Sequence, residues 1–297
     1  MNSFSKRPQL SVIIASYNSR KTIEDCLRSL ESQATTNDFE IIVVDSSMDE
    51  TAKLIEKRFP KLKLYRFSER KFAGGARNIG ISVAKGNIIA FIDADCRAEE
   101  NWCEEILRAH ESPFSAIGGA IANANPESYV GWAAYFCEFS QWMPERQSRS
   151  MDDIAGANMS YKKKVFDKYG DFIEGTYCSD TELHWRIGRD GHRLRFVPSI
   201  LISHHNIDSL RRFLRHEFYH GQCFALVRVR TMNFSRLRRL AYVVFSPLIS
   251  VKLFLKVALN NIKNRIYLAQ FLRASPLVMI GLIYWSLGEA SEYARGR

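Results

Sequence analysis

The chain predicts an α/β fold, a mainly parallel sheet with flanking helices, and three observations carry that reading. Continuous β-branched apolar runs recur at 10–15 (LSVIIA), 40–45 (EIIVVD) and 87–95 (NIIAFIDAD), as strands buried on both faces require. Stretches with helical spacing separate them, which gives βαβ units and hence parallel pairing. Each run ends in polar residues: Tyr17 and Asn18, Asp45, and Asp93 with Asp95. In open sheets of this kind ligands gather at the carboxyl edge of the strands.

The elements follow in order. After the first strand, Ile23, Cys26, Leu27 and Leu30 recur at i, i+3, i+4 and i+7, the mark of an amphipathic helix. The second strand leads into a helix over about 49–59, closed by Pro60. KLYRF (63–67) reads as a third strand, and GGARNIGISVAKG (74–86) as a helix opened and closed by glycine. The fourth strand runs straight into carboxylates. Beyond Pro113 the pattern loosens. AIGGAIA (116–122) reads as a strand, 129–142 as an aromatic-rich helix and 144–153 as a polar loop. RLRFVPSILISHH (193–205) is a late strand whose Pro198 places it near an edge. From Asp208 a basic amphipathic helix begins, with Leu210, Phe213, Leu214 and Phe218 on one side. The expected organisation is a catalytic domain over 1–207 and a helical segment over 208–297.

Composition narrows the function classes. With 297 residues, 46% hydrophobic and 25% charged, disordered, collagen-like and disulfide-scaffold chains are excluded. Six cysteines without a CxxC pair fit a reduced, cytosolic setting. The opening MNSFSKRPQLSVIIASYN has too short an apolar run for a signal peptide, so no export signal is expected. Net charge is +10, and its placement is uneven: 209–273 holds thirteen Lys and Arg against one acid, Glu217. That segment carries +12, leaving −2 elsewhere. Two apolar patches, 240–251 and 276–288, fall short of the roughly 18–20 residues of a spanning helix. Pro247, Lys252 and Lys256 interrupt the first. Both are expected to lie in a membrane interface or to pack as buried helices.

Several residues are placed for chemistry. Asp93-Ala94-Asp95 puts two carboxylates at a strand end, where a divalent cation or hydrogen-bond donors must offset their repulsion. A solvated turn before a helix is the plain alternative. Asp45 can accept hydrogen bonds from a base or ribose, or serve with Ser46, Ser47 and Asp49 to cap the next helix. Arg77 suits a phosphate or Asp93, or a solvated helix face. Asp180 and Glu182 open a helix, where the dipole favours one of them and a general base accounts for the other. His204-His205 end the late strand, and neutral imidazole suits Mn²⁺. His110, His184, His192, His216 and His220 read as packing residues.

VIIASYN, VVDSSMDET, GGARNIGISVAKGNIIAFIDAD, GANMSYKKKVFDKYGDF, SDTELHWRIGRDGHRLRFVP and SHH, in that order, resemble the inverting glycosyltransferases of family 2 over residues 10 to 225. The resemblance implies the GT-A (nucleotide-diphospho-sugar transferase) fold. It implies that Ala15, Tyr17, Asn18, Asp45 and Arg77 hold the nucleotide, and that Asp93 and Asp95 are the DxD pair. Asp95, Asp93 and His204 would then hold Mn²⁺ or Mg²⁺, with Asp180 as catalytic base. Two departures stand out: Ser46 replaces a frequent second acid, and Ser179-Asp180 replaces Glu-Asp. The implied reaction is a single in-line displacement on a nucleotide sugar, a UDP-sugar by family habit, with inversion. The acceptor would be a glycan or lipid-linked hydroxyl in polysaccharide, glycolipid or envelope synthesis.

The basic segment fits an anionic membrane surface, at about 1 kcal/mol per charge near the lipid, and its apolar patches argue against nucleic acid. The expected location is cytoplasmic, peripheral at the inner face of a membrane. Two other readings compete. A catalytically silent sugar-nucleotide binding or scaffold protein at the membrane would not need Asp180. A dinucleotide-dependent oxidoreductase would need a GxGxxG after the first strand, and none is there.

Overall fold

A computed structural model describes residues 7–144 and 147–295. Residues 1–6 of the opening stretch and 145–146 of the polar loop lie outside the described residues. The chain falls into two compact units, one formed by residues up to 122 with 144–204, the other by 123–143 with 205–297.

The first unit is built on one sheet. It opens with β1 (Leu10–Ser16), α1 (Ile23–Glu31), β2 (Phe39–Asp45), α2 (Thr51–Arg58), β3 (Lys63–Arg66), α3 (Ala73–Val83) and β4 (Ile88–Ile92). These strands lie in the order β3-β2-β1-β4, all parallel. Leu10, Val12, Ile13 and Ile14 have no exposed surface, as an unbroken apolar run implies. α1 buries Ile23, Cys26, Leu27 and Leu30, the four positions its spacing predicts.

The rest of the unit is β5 (Cys96–Ala98), α4 (Trp102–Ala109), β6 (Ala116–Asn123), β7 (Arg149–Met151), β8 (Asn158–Lys162), α6 (Lys164–Tyr169), α7 (Ser179–Arg189) and β9 (Leu194–His204); α5 (Tyr129–Phe139) belongs to the second unit. Past β4 the sheet continues β8-β6-β9-β5, with antiparallel pairing at β4–β8, β6–β8, β5–β9 and β7–β9. The parallel pairs thus lie among the first four strands, and the joint from β4 to β8 is antiparallel. Parallel pairing stops where strand–helix alternation stops, because β8 does not reach β4 through a crossover helix. β9 lies near the sheet edge as expected. Two short strands line its outer side, β7 along 194–196 and β5 along 202–204, and Pro198 falls in the gap between them.

Buried aromatic edges pack under the parallel half. The Phe91 and Phe172 rings are 5.5 Å apart and those of Tyr161 and Phe166 5.4 Å. Asn158, 1% exposed, donates to the carbonyls of Ala120 and Ile200 and accepts from the Trp102 indole, suturing the antiparallel half.

The second unit is helical: α5, α8 (Leu210–Met232), α9 (Arg236–Val244), α10 (Ser246–Asn264) and α11 (Leu268–Arg295). α5 buries Trp132, Tyr135 and Phe136, with Trp132 stacked on Phe136, so its aromatic run is core. On α8 the buried face starts at Phe213; Leu210 stays 49% exposed. Gly221 and Gly288 let α8 and α11 close on one another, since a Cβ on either would run into the carbonyl of Trp285 or of Phe218.

The patch 276–288 is not a short element. It is the middle of the 28-residue α11, which is long and apolar enough to cross a membrane, with 44% of its apolar window buried. Pro276 does not end the helix. It removes the N–H that Leu272 would bond, and the Ser275 hydroxyl donates to that carbonyl instead, at 3.0 Å. The patch 240–251 spans a 69° bend between α9 and α10, a pair that is also apolar enough when taken together.

Candidate active site

The carboxyl ends of β1, β2 and β4 deliver their polar residues to one edge. Asp45, 2% exposed, accepts from the Ser16 and Ser47 hydroxyls, both at 2.7 Å, and from the Ser47 N–H. Asn18 sits in the left-handed region at φ 52°, which asparagine tolerates. Its N–H bonds Ser47 Oγ and its Oδ1 takes the Met48 N–H, so the loop after β1 is pinned to the loop after β2. Ser46, in the place of the frequent second acid, accepts the Lys71 N–H at 3.0 Å and anchors the segment before α3. Asp49 accepts from the Thr51 N–H at 3.0 Å just ahead of α2, but the N-cap position itself falls to Glu50, which makes no side-chain capping bond.

A cleft of about 230 Å³ opens at this edge, lined among others by Ala15, Tyr17, Arg70, Asp93, Asp95 and Tyr177. The Arg70 guanidinium lies 4.4 Å from the Tyr17 ring centre and 4.6 Å from that of Phe72. Neither Arg70 nor Tyr177 stands out in the sequence.

Asp93, Ala94 and Asp95 form the turn from β4 to β5, closed by the Cys96 N–H on the Asp93 carbonyl. The register Cys96↔His204 then brings the end of β9 beside that turn. His204 Nε2 lies 3.4 Å from Asp95 Oδ1. One ligand atom each from Asp95, Cys96 and His204 falls within 4.8 Å of the others. Burial and the Asp95 and Asp93 carboxylates push the Cys96 thiol well above its usual range. Of the three, the Asp95 carboxylate and the His204 imidazole are the donor types that suit Mn²⁺ or Mg²⁺ better than a thiol does.

Asp93, on the same cleft, has an ion-pair partner. Its Oδ1 pairs with Arg77 Nη2 at 3.1 Å, and the same nitrogen donates to the Gly156 carbonyl at 3.0 Å. Arg77 is 4% exposed, which excludes a solvated helix face, and it lies 5.7 and 5.8 Å from the Phe91 and Phe172 ring centres. Burial pushes the Asp93 carboxyl above its ordinary value; Arg77 opposes the shift, and Asp95 and Asp180 add to it.

Asp180 stands in the first turn of α7, after Cys178 in a left-handed conformation. Its Oδ2 lies 2.4 Å from where a Cβ on Gly156 would be, and that Cβ would also come within 3.2 Å of Arg77 Nη2. Gly156 thus joins Asp93, Arg77 and Asp180 in one cluster. One turn along α7, His184 bonds Tyr161 Oη through Nε2 at 2.6 Å and Asp153 Oδ1 through Nδ1 at 2.5 Å. This buried chain, built on a histidine that reads as mere packing, fixes how α7 presents Asp180.

Comparison with known proteins bears on the family and the fold. The model of the family described as glycosyl transferase family 2 matches residues 11–170. Glycosyltransferase AglE of Haloferax volcanii is 28% identical over 206 residues, 66% of this chain and 67% of its own length. Of other curated relatives the chain spans half the length or less. A mannosyltransferase, PcManGT from Pyrobaculum calidifontis, solved with GDP-Man and Mn²⁺, superposes with a TM-score of 0.63 at 17% identity, over 99% of this chain and 89% of that one. S. aureus TarS 1-349 with UDP-GlcNAc gives 0.56 at 17% identity, over 97% and 92%. The two structures share the GT-A type of fold with this chain.

Proposed function

The chain belongs to glycosyl transferase family 2, and we propose that its first unit moves a sugar from a nucleotide-sugar donor to an acceptor hydroxyl with inversion. The observation that carries this reading is Asp180 held against Gly156, in one cluster with Arg77 and Asp93 beside the cleft. Asp180 takes the proton of the acceptor hydroxyl as its oxygen forms a bond to the anomeric carbon. The bond from that carbon to the diphosphate breaks, and the nucleoside diphosphate departs with the electron pair. Because one displacement occurs, the configuration inverts.

Tyr17, Asn18 and Asp45 line the base and ribose end, with a UDP-sugar the donor that the family resemblance favours. Arg77, 3.1 Å from Asp93, holds that carboxylate oriented at the donor end. Asp95 and His204 would hold Mn²⁺ or Mg²⁺, which when bound neutralises charge on the departing diphosphate. In the test, Asp180→Asn keeps donor affinity within about threefold and loses transfer by about 100-fold or more. Near-normal turnover in that variant overturns the assignment. A wild-type protein that binds donor yet neither transfers nor hydrolyses it with Mn²⁺ would instead be a silent binding protein.

The second unit is proposed to lie on an anionic membrane surface at its cytoplasmic face, where it would meet a glycan or lipid-linked acceptor. Leu237, Leu240, Leu248, Leu255 and Leu259 are each more than half exposed on α9 and α10, among Arg236, Arg238, Arg239, Lys252 and Lys256. A surface that is both apolar and basic suits lipid better than nucleic acid.

A further inference from the structure

Away from the cleft, the second unit holds a cluster of ligating side chains that sugar transfer does not use. Glu138 lies at the end of α5, and His216 and Glu217 lie on α8. His216 Nε2 is 3.3 Å from Glu138 Oε1, and one ligand atom from each of the three residues falls within 4.8 Å of the others. Glu217 is 2% exposed, its Oε1 has no hydrogen-bond partner, and among the described residues no lysine or arginine pairs with it.

A second observation points the same way. Residues 216–220 read His-Glu-Phe-Tyr-His, and on a helix that spacing turns two imidazoles to one face. The His216 and His220 ring centres are 5.7 Å apart. In the sequence the two histidines show no ligand spacing of the usual kind; it is the helix that sets them one turn apart on one face.

Two carboxylates beside an imidazole, one carboxylate buried and unbonded, are costly together unless a cation joins them. We propose that Glu138, His216 and Glu217, with His220 one turn away, bind a divalent transition-metal ion of the zinc class. Imidazole with carboxylate favours zinc, manganese or iron over calcium or magnesium. Glu138 and His216 keep 20% and 26% of their side chains exposed, which leaves the ion a way in. Glu217 is too deeply buried to activate a solvent water for hydrolysis, so the ion fastens α5 to α8.

The test titrates Zn²⁺ into full-length protein carrying Asp95→Asn and His204→Gln, which removes the donors of the cleft. That protein is expected to bind one equivalent of Zn²⁺ by calorimetry and to melt at a higher temperature with the ion. Adding Glu217→Gln or His216→Gln, each checked for native circular dichroism, is expected to weaken binding at least tenfold and to abolish the thermal shift. Absence of a bound equivalent in the parent, or equal affinity in either added variant, overturns the proposal. Sugar transfer is not the readout, so failure here leaves the reading of the cleft untouched.

Discussion

The Asp180 carboxylate oxygen lies 2.4 Å from where Gly156 would carry a β-carbon, too close for one to fit. A glycine on the loop before β8 and an acid on α7 are thus set against each other by volume alone. Gly156→Ala is therefore expected to push Asp180 away from Arg77. Transfer should fall by about 100-fold with donor affinity nearly kept, and stability should drop by about 1–3 kcal/mol from overpacking. Steady-state kinetics with a thermal melt read both, and unchanged kcat would show that Asp180 is placed by something else.

Arg77 Nη2 bonds both Asp93 and the Gly156 carbonyl, which an ammonium on a flexible stem does not reproduce. Arg77→Lys should lower stability by about 1–2 kcal/mol in urea, at the small end for a broken ion pair because Asp93 keeps 34% of its side chain in solvent. Transfer should fall more steeply than donor binding. A Lys variant with wild-type kcat would remove Arg77 from the site.

Acid sensitivity should trace to His110. Its Nε2 bonds Ser160 Oγ at 2.9 Å, its Nδ1 has no partner, and burial pushes its pKa from 6.5 down to about 3. Between those values the unfolded chain takes up a proton that the folded one refuses, so stability is lost as pH falls from 6.5 toward 3. Between pH 6.5 and 4 the wild type should lose about 2–3 kcal/mol more than His110→Gln does. Urea midpoints against pH decide it; parallel curves would assign the loss to other groups.

The exposed leucines of α10 should matter only where lipid is present. Replacing Leu248, Leu255 and Leu259 by Gln, at 63%, 53% and 66% exposure, should leave the melting temperature within about two degrees. Sedimentation with phosphatidylcholine–phosphatidylserine vesicles should fall at least about tenfold, since each buried leucine is worth about 1.5–3 kcal/mol. High salt should release the wild type only in part. Undiminished sedimentation of the triple variant would end the membrane-surface reading.

What could be read from the sequence was whatever a local pattern encodes. The runs at β1, β2 and β4 and the four buried positions of α1 are periodicity, and periodicity is local. In the antiparallel half β6 and β9 were legible as strands, but β5 and β7 escaped because they have three residues each, too few to carry a period, and their pairing to β9 is long-range. α11 was read as a short patch because proline normally stops a helix, and the Ser275 hydroxyl that compensates for it is a matter of side-chain geometry. Asp180, Asp95 and His204 stood out as polar residues at element ends. Gly156, Arg70 and the Tyr161–His184–Asp153 chain did not, since a close approach leaves no mark on composition.

Asp95 and His204 meet because a three-residue strand pairs with the last three residues of β9. Their proximity is thus a property of ladder alignment and not of the two side chains. Gaining or losing one residue between Pro198 and Ile202 would turn the imidazole to the opposite face of the sheet while leaving every ligand in the sequence. Lineages that alter the length of this strand are thereby expected to change how they grip the donor's diphosphate, even where both residues persist.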